Sequence, residues 1–599
     1  MLSWGELFDF FELQESLARW ELLVALIVPL VAIFLPRVGK RFYLPLIKGL
    51  RKFGRSRFRE YATIFLLPLA LRLALLPFMP VPVPSVQEEF SNLLLGDTLA
   101  HGRMANPVHP MAVFFEGTQM LQHPHYVSAR PLGDGFVLMA GQVLTGLPWV
   151  GVLLANGLMC CALLWMLASM VPRPWPFVGA VILGLRMSVF TLFMNSYWGQ
   201  ALAATGGMLV FGAVIRVRKR GWRGTSAIAG VIGMMMLAST RIFEGGLLCL
   251  ALGCVLLVWY WRDLRSAALR KEQLRFAAIF AVGCVLTVGL LGYYNFRTTG
   301  NPLKPAYVLW RGKQAMAPTF IFQNIRPGKY TYFSQEDLRF YANFELGLFG
   351  FPKSSIENYL ITRKDRLADF FRMYVRALLL PALLVGIFSK KTTAGWLALL
   401  ALLAACAGQL ILSFGMPTYQ APFLGMVYLL IILGLRRMSM AWRKSGRGPS
   451  LVTATILGIV IVFGLQVKAA IQHVNFLSED PWYHYGYASR ESNRDLILKY
   501  LAAQPGNHLV IVRYARNHPC IYEWVWNLAD PDSQRIVWAR ELEPASTAAL
   551  VRYYGGRRVW LLQVNRDEAS MTPYPVESLP WPRSPESLYS SNALSLTIR

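Results

Sequence analysis

Residues 149–171 run for 23 positions without one charged side chain, and eleven further apolar stretches punctuate the chain. As a helix, such a run rises about 1.5 Å per residue and crosses a hydrocarbon core of roughly 30 Å. The pattern predicts a polytopic α-helical membrane protein with about twelve transmembrane helices. The expected spans are 20–36, 61–79, 149–171, 177–194, 199–216, 225–241, 243–261, 276–294, 373–389, 395–414, 418–435 and 451–467. Residues 134–147 read as an interfacial helix leading into the third span. Composition agrees: 55% of residues are hydrophobic and 16% charged, which excludes a soluble globular enzyme.

The 60 Lys and Arg outnumber the 33 Asp and Glu by 27, a bias that elsewhere suggests nucleic acid. Here the cations gather between apolar runs, as the positive-inside rule requires, so the partner is the bilayer and not nucleic acid. Segment 37–60 carries Arg37, Lys40, Arg41, Lys48, Arg51, Lys52, Arg55, Arg57 and Arg59 against Glu60. Loops 216–224, 262–275 and 436–448 are also basic, and counting spans places all four on one, cytoplasmic, side. Outer loops 80–148 and 295–372, and everything after 467, then fall on the opposite side.

The expected organisation is an N-terminal helix and basic loop (1–60), a transmembrane domain (61–467), a small extracytoplasmic α/β domain (468–570) and a disordered Pro/Ser-rich tail (571–599). Short strands are read at 508–514, 535–540 and 558–564, and helices at 490–503 and 545–554. Glu6, Asp9, Glu12 and Glu15 make the N-terminus unlike a cleavable signal peptide. Six of the seven cysteines lie in apolar runs and none forms a zinc spacing. No phosphate-binding or dinucleotide glycine motif is present, which argues against an ATP-driven pump.

Chemistry-bearing residues gather on the outer side. Glu88 and Glu89 follow the second span directly, and adjacent carboxylates at a membrane boundary suit general-base catalysis, one ionised and the other raised in pKa. The same loop holds Asp97, His101, Arg103, Asn106 and His109, with His123 and His125 beyond, and a zinc or manganese site is an alternative use for these histidines. Asn195, Tyr197 and Trp198 lie between two spans, Arg241 and Glu244 at the next outer turn, and Tyr419 at a later one. Arg297 and Lys313 belong to the second outer loop, where their charge suits a lipid phosphate. Arg186 sits inside a span, so it needs a functional role or a partner.

The acidic pair after an early span, followed by a polar loop from Ala100-His101-Gly102 to Asn106-Pro107, resembles the GT-C glycosyltransferases, in particular protein O-mannosyltransferases and aminoarabinose transferases. The blocks NSYWGQALAATGGMLVFGA (Asn195–Ala213) and RIFEG (Arg241–Gly245) are similar to bacterial membrane glycosyltransferases, and the resemblance covers roughly residues 61–435. It implies a GT-C-like fold in the bacterial inner membrane, with the active site on the periplasmic side. It also implies a polyprenyl-phosphate sugar donor, no cofactor, and an envelope glycan, lipid or protein as acceptor. The acidic pair maps to Glu88 and Glu89 as catalytic residues. Family members usually carry Asp-Glu there, with the Asp as base; Glu88 stands in the Asp position, and the resemblance leaves open which carboxylate is the base. Arg103, Arg241, Arg297 and Lys313 are the candidates to hold the donor phosphate. Asp97, His101, Asn106, His109, Asn195, Tyr197, Trp198, Glu244 and Tyr419 are candidates to contact substrate. Rival readings are a lipid or solute transporter, which calls for repeat symmetry and broken helices at the midplane, and a non-catalytic scaffold of polysaccharide assembly.

Overall fold

A computed structural model describes residues 16–264, 266–389, 392–441, 443–472, 493–565 and 568–598. The acidic residues Glu6, Asp9, Glu12 and Glu15, and positions 473–492 of the expected α/β domain, lie outside the described residues.

Helix α1 (Ser16–Phe34) turns at Pro36 into α2 (Pro36–Phe53), proline being suited to a first helical turn. Ser56 caps α3 (Arg57–Ala74) by accepting the Arg59 N–H at 3.4 Å. The segment 80–148 holds α4 (Gln87–Ala100), a two-residue ribbon of β1 (Met120–Leu121) and β2 (Val127–Ser128), and α5 (Leu132–Thr145). Gly146, at φ 77°, ends α5 in the left-handed conformation that a side chain would strain, and Pro148 opens α6 (Pro148–Leu167). Then come α7 (Trp175–Leu183), α8 (Gln200–Arg220), α9 (Gly224–Ala238), α10 (Ile242–Asp263) and α11 (Ala267–Thr299). The segment 300–355 contains α12 (Ala306–Gln314), β3 (Gly328–Tyr332), α13 (Gln335–Arg339) and α14 (Leu346–Ser354). It leads through α15 (Ile356–Tyr374) to α16 (Arg376–Phe388), α17 (Thr393–Ile411), α18 (Leu424–Met440) and α19 (Arg447–Ile471).

Among the described residues seven helices are long and apolar enough to cross a membrane, or up to nine if each of two bent pairs is one span. The expected spans that fall outside this count do so for local reasons. The predicted span 177–194 leaves α-geometry in a wide turn over Gly184–Ser188, and the predicted 225–241 yields the 15 residues of α9. Residues 20–36 and 373–389 belong to the bent pairs, which turn by 103° between α1 and α2 and by 100° between α15 and α16. Arg376, at φ 56°, sits at the second bend.

Spanning helices share one apolar core in which α18 is deeply enclosed: Leu429, Leu430, Ile431 and Ile432 are all fully buried. Arg186 finds its partner there. Its Nη2 lies 2.8 Å from Glu21 of α1, and Arg376 lies 3.4 Å from the same carboxylate. In lipid an ionised side chain needs such a counter-ion.

Beyond α20 (Asn493–Ala503), β4 (His508–Tyr514), β5 (Ile536–Arg540), β6 (Arg558–Val564) and β7 (Ala569–Pro573) form a sheet in the order β5-β4-β6-β7. The first three are parallel and β7 is antiparallel to β6. α21 (Pro544–Tyr553) links β5 to β6, and α22 (Leu588–Ser591) precedes β8 (Leu594–Ile598). The expected disordered tail, 571–599, is thus structured as far as Ile598. Its alternating Leu594, Leu596 and Ile598 pack one face of β8 onto Tyr330 and Tyr332, and β8 pairs antiparallel with β3. Pro and Ser before residue 588 concealed that period-two signal.

Candidate active site

Val86 is extended and α4 begins at Gln87, so Glu88 and Glu89 lie in the first turn, where the helix dipole favours negative charge. Consecutive helical positions point about 100° apart, and here that separates two roles. Glu89 turns back into the protein and is 1% exposed. Its carboxylate accepts the N–H groups of Ser85 at 3.1 Å, Val86 at 3.5 Å and Tyr197 at 3.2 Å. Burial pushes its pKa up to about 7 in spite of those three donors.

Glu88 turns the other way and keeps 16% of its side chain exposed. Its Oε1 accepts Gln119 Nε2 at 3.2 Å and faces Arg130 Nη1 at 3.5 Å. Gln119 is held at φ 64° because its carbonyl accepts both Ser91 Oγ at 2.6 Å and the Ala129 N–H at 2.9 Å. Arg130 donates to Gln119 Oε1 at 3.3 Å and lies 3.7 Å from Asp134, one turn further at the start of α5. Burial alone would lower the Arg130 pKa, but Glu88 and Asp134 outweigh it and the guanidinium is held above its ordinary value.

Two glycines permit this arrangement. A Cβ on Gly199 would lie 1.8 Å from Asp134 Oδ1, and one on Gly133 would lie 2.6 Å from Ser239 Oγ. The Gly133 N–H donates to the Ser239 carbonyl at 2.7 Å, which brings α5 against the turn that carries Arg241. Arg241 lies 4.1 Å over the Tyr419 ring and within electrostatic reach of Asp134. Tyr419 belongs to the helical turn Pro417–Phe423, and its phenol is within reach of Glu88, Arg130 and Tyr307. Two carboxylates, two guanidiniums and phenols thus converge at one end of the helical bundle.

The sheet region fastens this end. Gln87 Nε2 donates to the Cys520 carbonyl, 433 residues along the chain, at 2.8 Å. Val86 pairs with Tyr522, and the Glu523 N–H donates to the Ser85 carbonyl at 3.0 Å. Trp526 stacks on Phe90 at 5.2 Å.

Of the sequence-derived candidates, the structure brings Glu88, Arg241 and Tyr419 together and places Glu244 in the first turn of α10 behind Arg241. The others serve elsewhere. Asp97 accepts Gln142 Nε2 at 2.7 Å and the Ala529 N–H at 2.9 Å, while His101 caps its own helix through the Asp97 carbonyl at 2.8 Å. Asn106 bonds Thr98 and Tyr126, and His109 bonds Asp532 at 2.9 Å. Asn195 accepts Arg72 Nε at 3.0 Å, Tyr197 donates to the Pro82 carbonyl, and Trp198 packs with Val86 and Leu192. Arg103 donates its N–H to the Thr98 carbonyl. Arg297 is exposed against Tyr293, and Lys313 donates to the His123 carbonyl at 3.1 Å. Among the described residues no three His, Cys, Asp or Glu side chains gather to hold a metal.

Sequence reasoning missed Gln119, Arg130 and Asp134. The available signal was the Arg130/Asp134 pair, four residues apart at the start of an apolar helix, the spacing at which helical charges meet.

Fold and site define a polytopic helical membrane protein with a carboxylate–guanidinium site at one end of its bundle. No family model matches the chain, and no curated protein does. Among solved structures it is similar to ArnT from Cupriavidus metallidurans in the apo state, at 13% identity and TM-score 0.44, over 85% of this chain and 93% of that one. The same ArnT bound to undecaprenyl phosphate gives TM-score 0.44 and 13% identity over 83% and 92%. The Archaeoglobus fulgidus oligosaccharyltransferase complex with Zn and sulfate gives 0.42 and 10% over 75% and 60%.

Proposed function

We propose that the protein is a glycosyltransferase of the bacterial inner membrane that moves a sugar from a polyprenyl-phosphate donor to an acceptor hydroxyl on the periplasmic face, without a cofactor. One observation carries this reading: of the two adjacent acids, Glu88 alone presents its carboxylate to the cluster of Arg130, Asp134, Arg241 and Tyr419.

In the proposed reaction Glu88 takes the proton of the acceptor hydroxyl as its oxygen bonds the anomeric carbon. The bond from that carbon to the phosphate oxygen breaks, with inversion, and the leaving phosphate carries off the electron pair. Arg241, which makes no salt bridge among the described residues and lies on the Tyr419 ring, meets that charge. Arg130 holds Glu88 in place and adds a second positive charge. Glu89 positions the helix start through its three N–H partners.

The test is transfer from a panel of radiolabelled polyprenyl-phosphate sugars by the full chain in lipid nanodiscs, beside Glu88→Gln. Sugar transfer that disappears in the variant supports the reading. Full transfer by Glu88→Gln, or no turnover of any donor with any acceptor class, overturns it.

A further inference from the structure

At the far end of α3 from Glu88 lies α2, whose surface divides into three sectors at about 100° per residue. One faces the protein. A Cβ on Gly39 would meet Ser450 Cα of α19 at 2.5 Å, Ile47 is buried, and Tyr43 and Leu50 pack into the main core. The next carries Arg37, Lys40, Arg41, Lys48, Arg51 and Lys52. The third is apolar and exposed, with Phe42 at 63%, Leu46 at 37%, and Pro45 and Gly49 between them.

The 103° bend turns α2 away from the axis of α1, so a helix that enters the bilayer continues as one running along its surface. No acid occurs between residues 36 and 59, and the first that follows, Glu60, is 3.5 Å from Arg173 instead. A cationic stripe beside an apolar stripe, on a helix parallel to the membrane, matches a surface that is anionic above and hydrocarbon below.

We infer that α2 is an in-plane anchor for the anionic headgroups of phospholipids, on the membrane face opposite Glu88. The apolar stripe enters the acyl boundary, and the six cations lie level with the phosphates. The lipid phosphate is favoured over a soluble anion because the cations form a stripe along the helix and not a cup, and because exposed Phe42 and Leu46 need an apolar medium.

The test is hydrogen–deuterium exchange of the full chain in nanodiscs of phosphatidylcholine, with and without phosphatidylglycerol. Amides of residues 37–53 exchange at least about fivefold more slowly in the anionic discs, the factor expected for roughly one basic side chain at a charged surface. Arg41→Gln/Lys48→Gln/Arg51→Gln/Lys52→Gln loses the difference, and the charge-conserving Arg41→Lys/Arg51→Lys keeps it. In the wild-type chain 1 M salt, which shortens screening to about 3 Å, removes it as well. Equal exchange in the two discs overturns the inference. Equal protection from inorganic phosphate in phosphatidylcholine discs also overturns it, in favour of a soluble anion.

Discussion

Asp97 of α4 accepts a hydrogen bond from the backbone N–H of Ala529, 432 residues away in sequence, at 2.9 Å, and its other oxygen accepts Gln142 at 2.7 Å. One buried carboxylate therefore joins the helix that bears Glu88 to α5 and to the sheet region. Asp97→Ala leaves two donors without an acceptor, each costing about 1–3 kcal/mol when buried. The unfolding temperature in detergent falls, and protease cleaves near 529 sooner. An unchanged unfolding temperature would show that this joint carries no stability.

Glu88→Gln lowers transfer by about 100- to 10,000-fold, the usual share of a general base, while the unfolding temperature stays close to that of the parent. Glu89→Gln does the reverse: stability drops because an amide cannot accept all three N–H groups, and the folded fraction retains turnover. Measured side by side, kcat and melting separate the two roles. Loss of turnover in Glu89→Gln at full stability would reverse them.

Gly199→Ala drives a methyl group into Asp134, since the Cβ would lie 1.8 Å from its oxygen. Overpacking of this kind costs about 1–3 kcal/mol. Asp134 shifts, Arg130 loses one of its two carboxylate partners, and turnover falls more than stability does. Wild-type kinetics in this variant would detach Asp134 from the site.

The acidic pair could be read because two carboxylates directly after an apolar span are rare enough to notice. The distinction between them could not, since it depends on where α4 begins and on which neighbour offers N–H groups. Arg130 and Asp134 stayed hidden at the edge of a segment whose apolar run drew attention to its interior. Arg241 and Tyr419 are 178 residues apart, and no spacing rule brings them together. Long uninterrupted spans such as 149–171 were legible, whereas the bend at Arg376 depends on one left-handed backbone angle that the sequence does not advertise.

Glu116 predicts a pH dependence. Its carboxyl is buried beside Asp337, with Arg540, Lys313 and Tyr589 facing it, and burial pushes its pKa up to about 8. Between its unfolded value, near 4.5, and about 8, the folded state binds the extra proton. The associated stability is complete below pH 4.5 and is lost as pH rises through about 8, on the order of a few kcal/mol. The unfolding temperature therefore falls from pH 5 to pH 9, and Glu116→Gln flattens the profile and is the more stable at pH 9. Parallel profiles for the two proteins would rule out Glu116 as the titrating group.

Glu21 is the counter-ion of Arg186 within the bundle. Breaking a buried pair from one side costs about 3–5 kcal/mol, so Glu21→Gln lowers the unfolding temperature in detergent well beyond an exposed substitution. Adding Arg186→Gln recovers part of the loss, because one of the two cations that Glu21 neutralised, Arg186 and Arg376, is gone. No recovery in the double variant would mean that the pair does not act as a unit.

The bond from Gln87 to Cys520 also sets a timetable. Its two partners are 433 residues apart, and ribosomes add about 5–20 residues each second, so the helix bearing Glu88 emerges roughly 20–90 s before the segment that secures it. During that interval the end of the bundle that carries Glu88 has no cover from the sheet region. The site around Glu88 is consequently completed late in synthesis, after residues 520–529 have been made and not when the helices alone have formed.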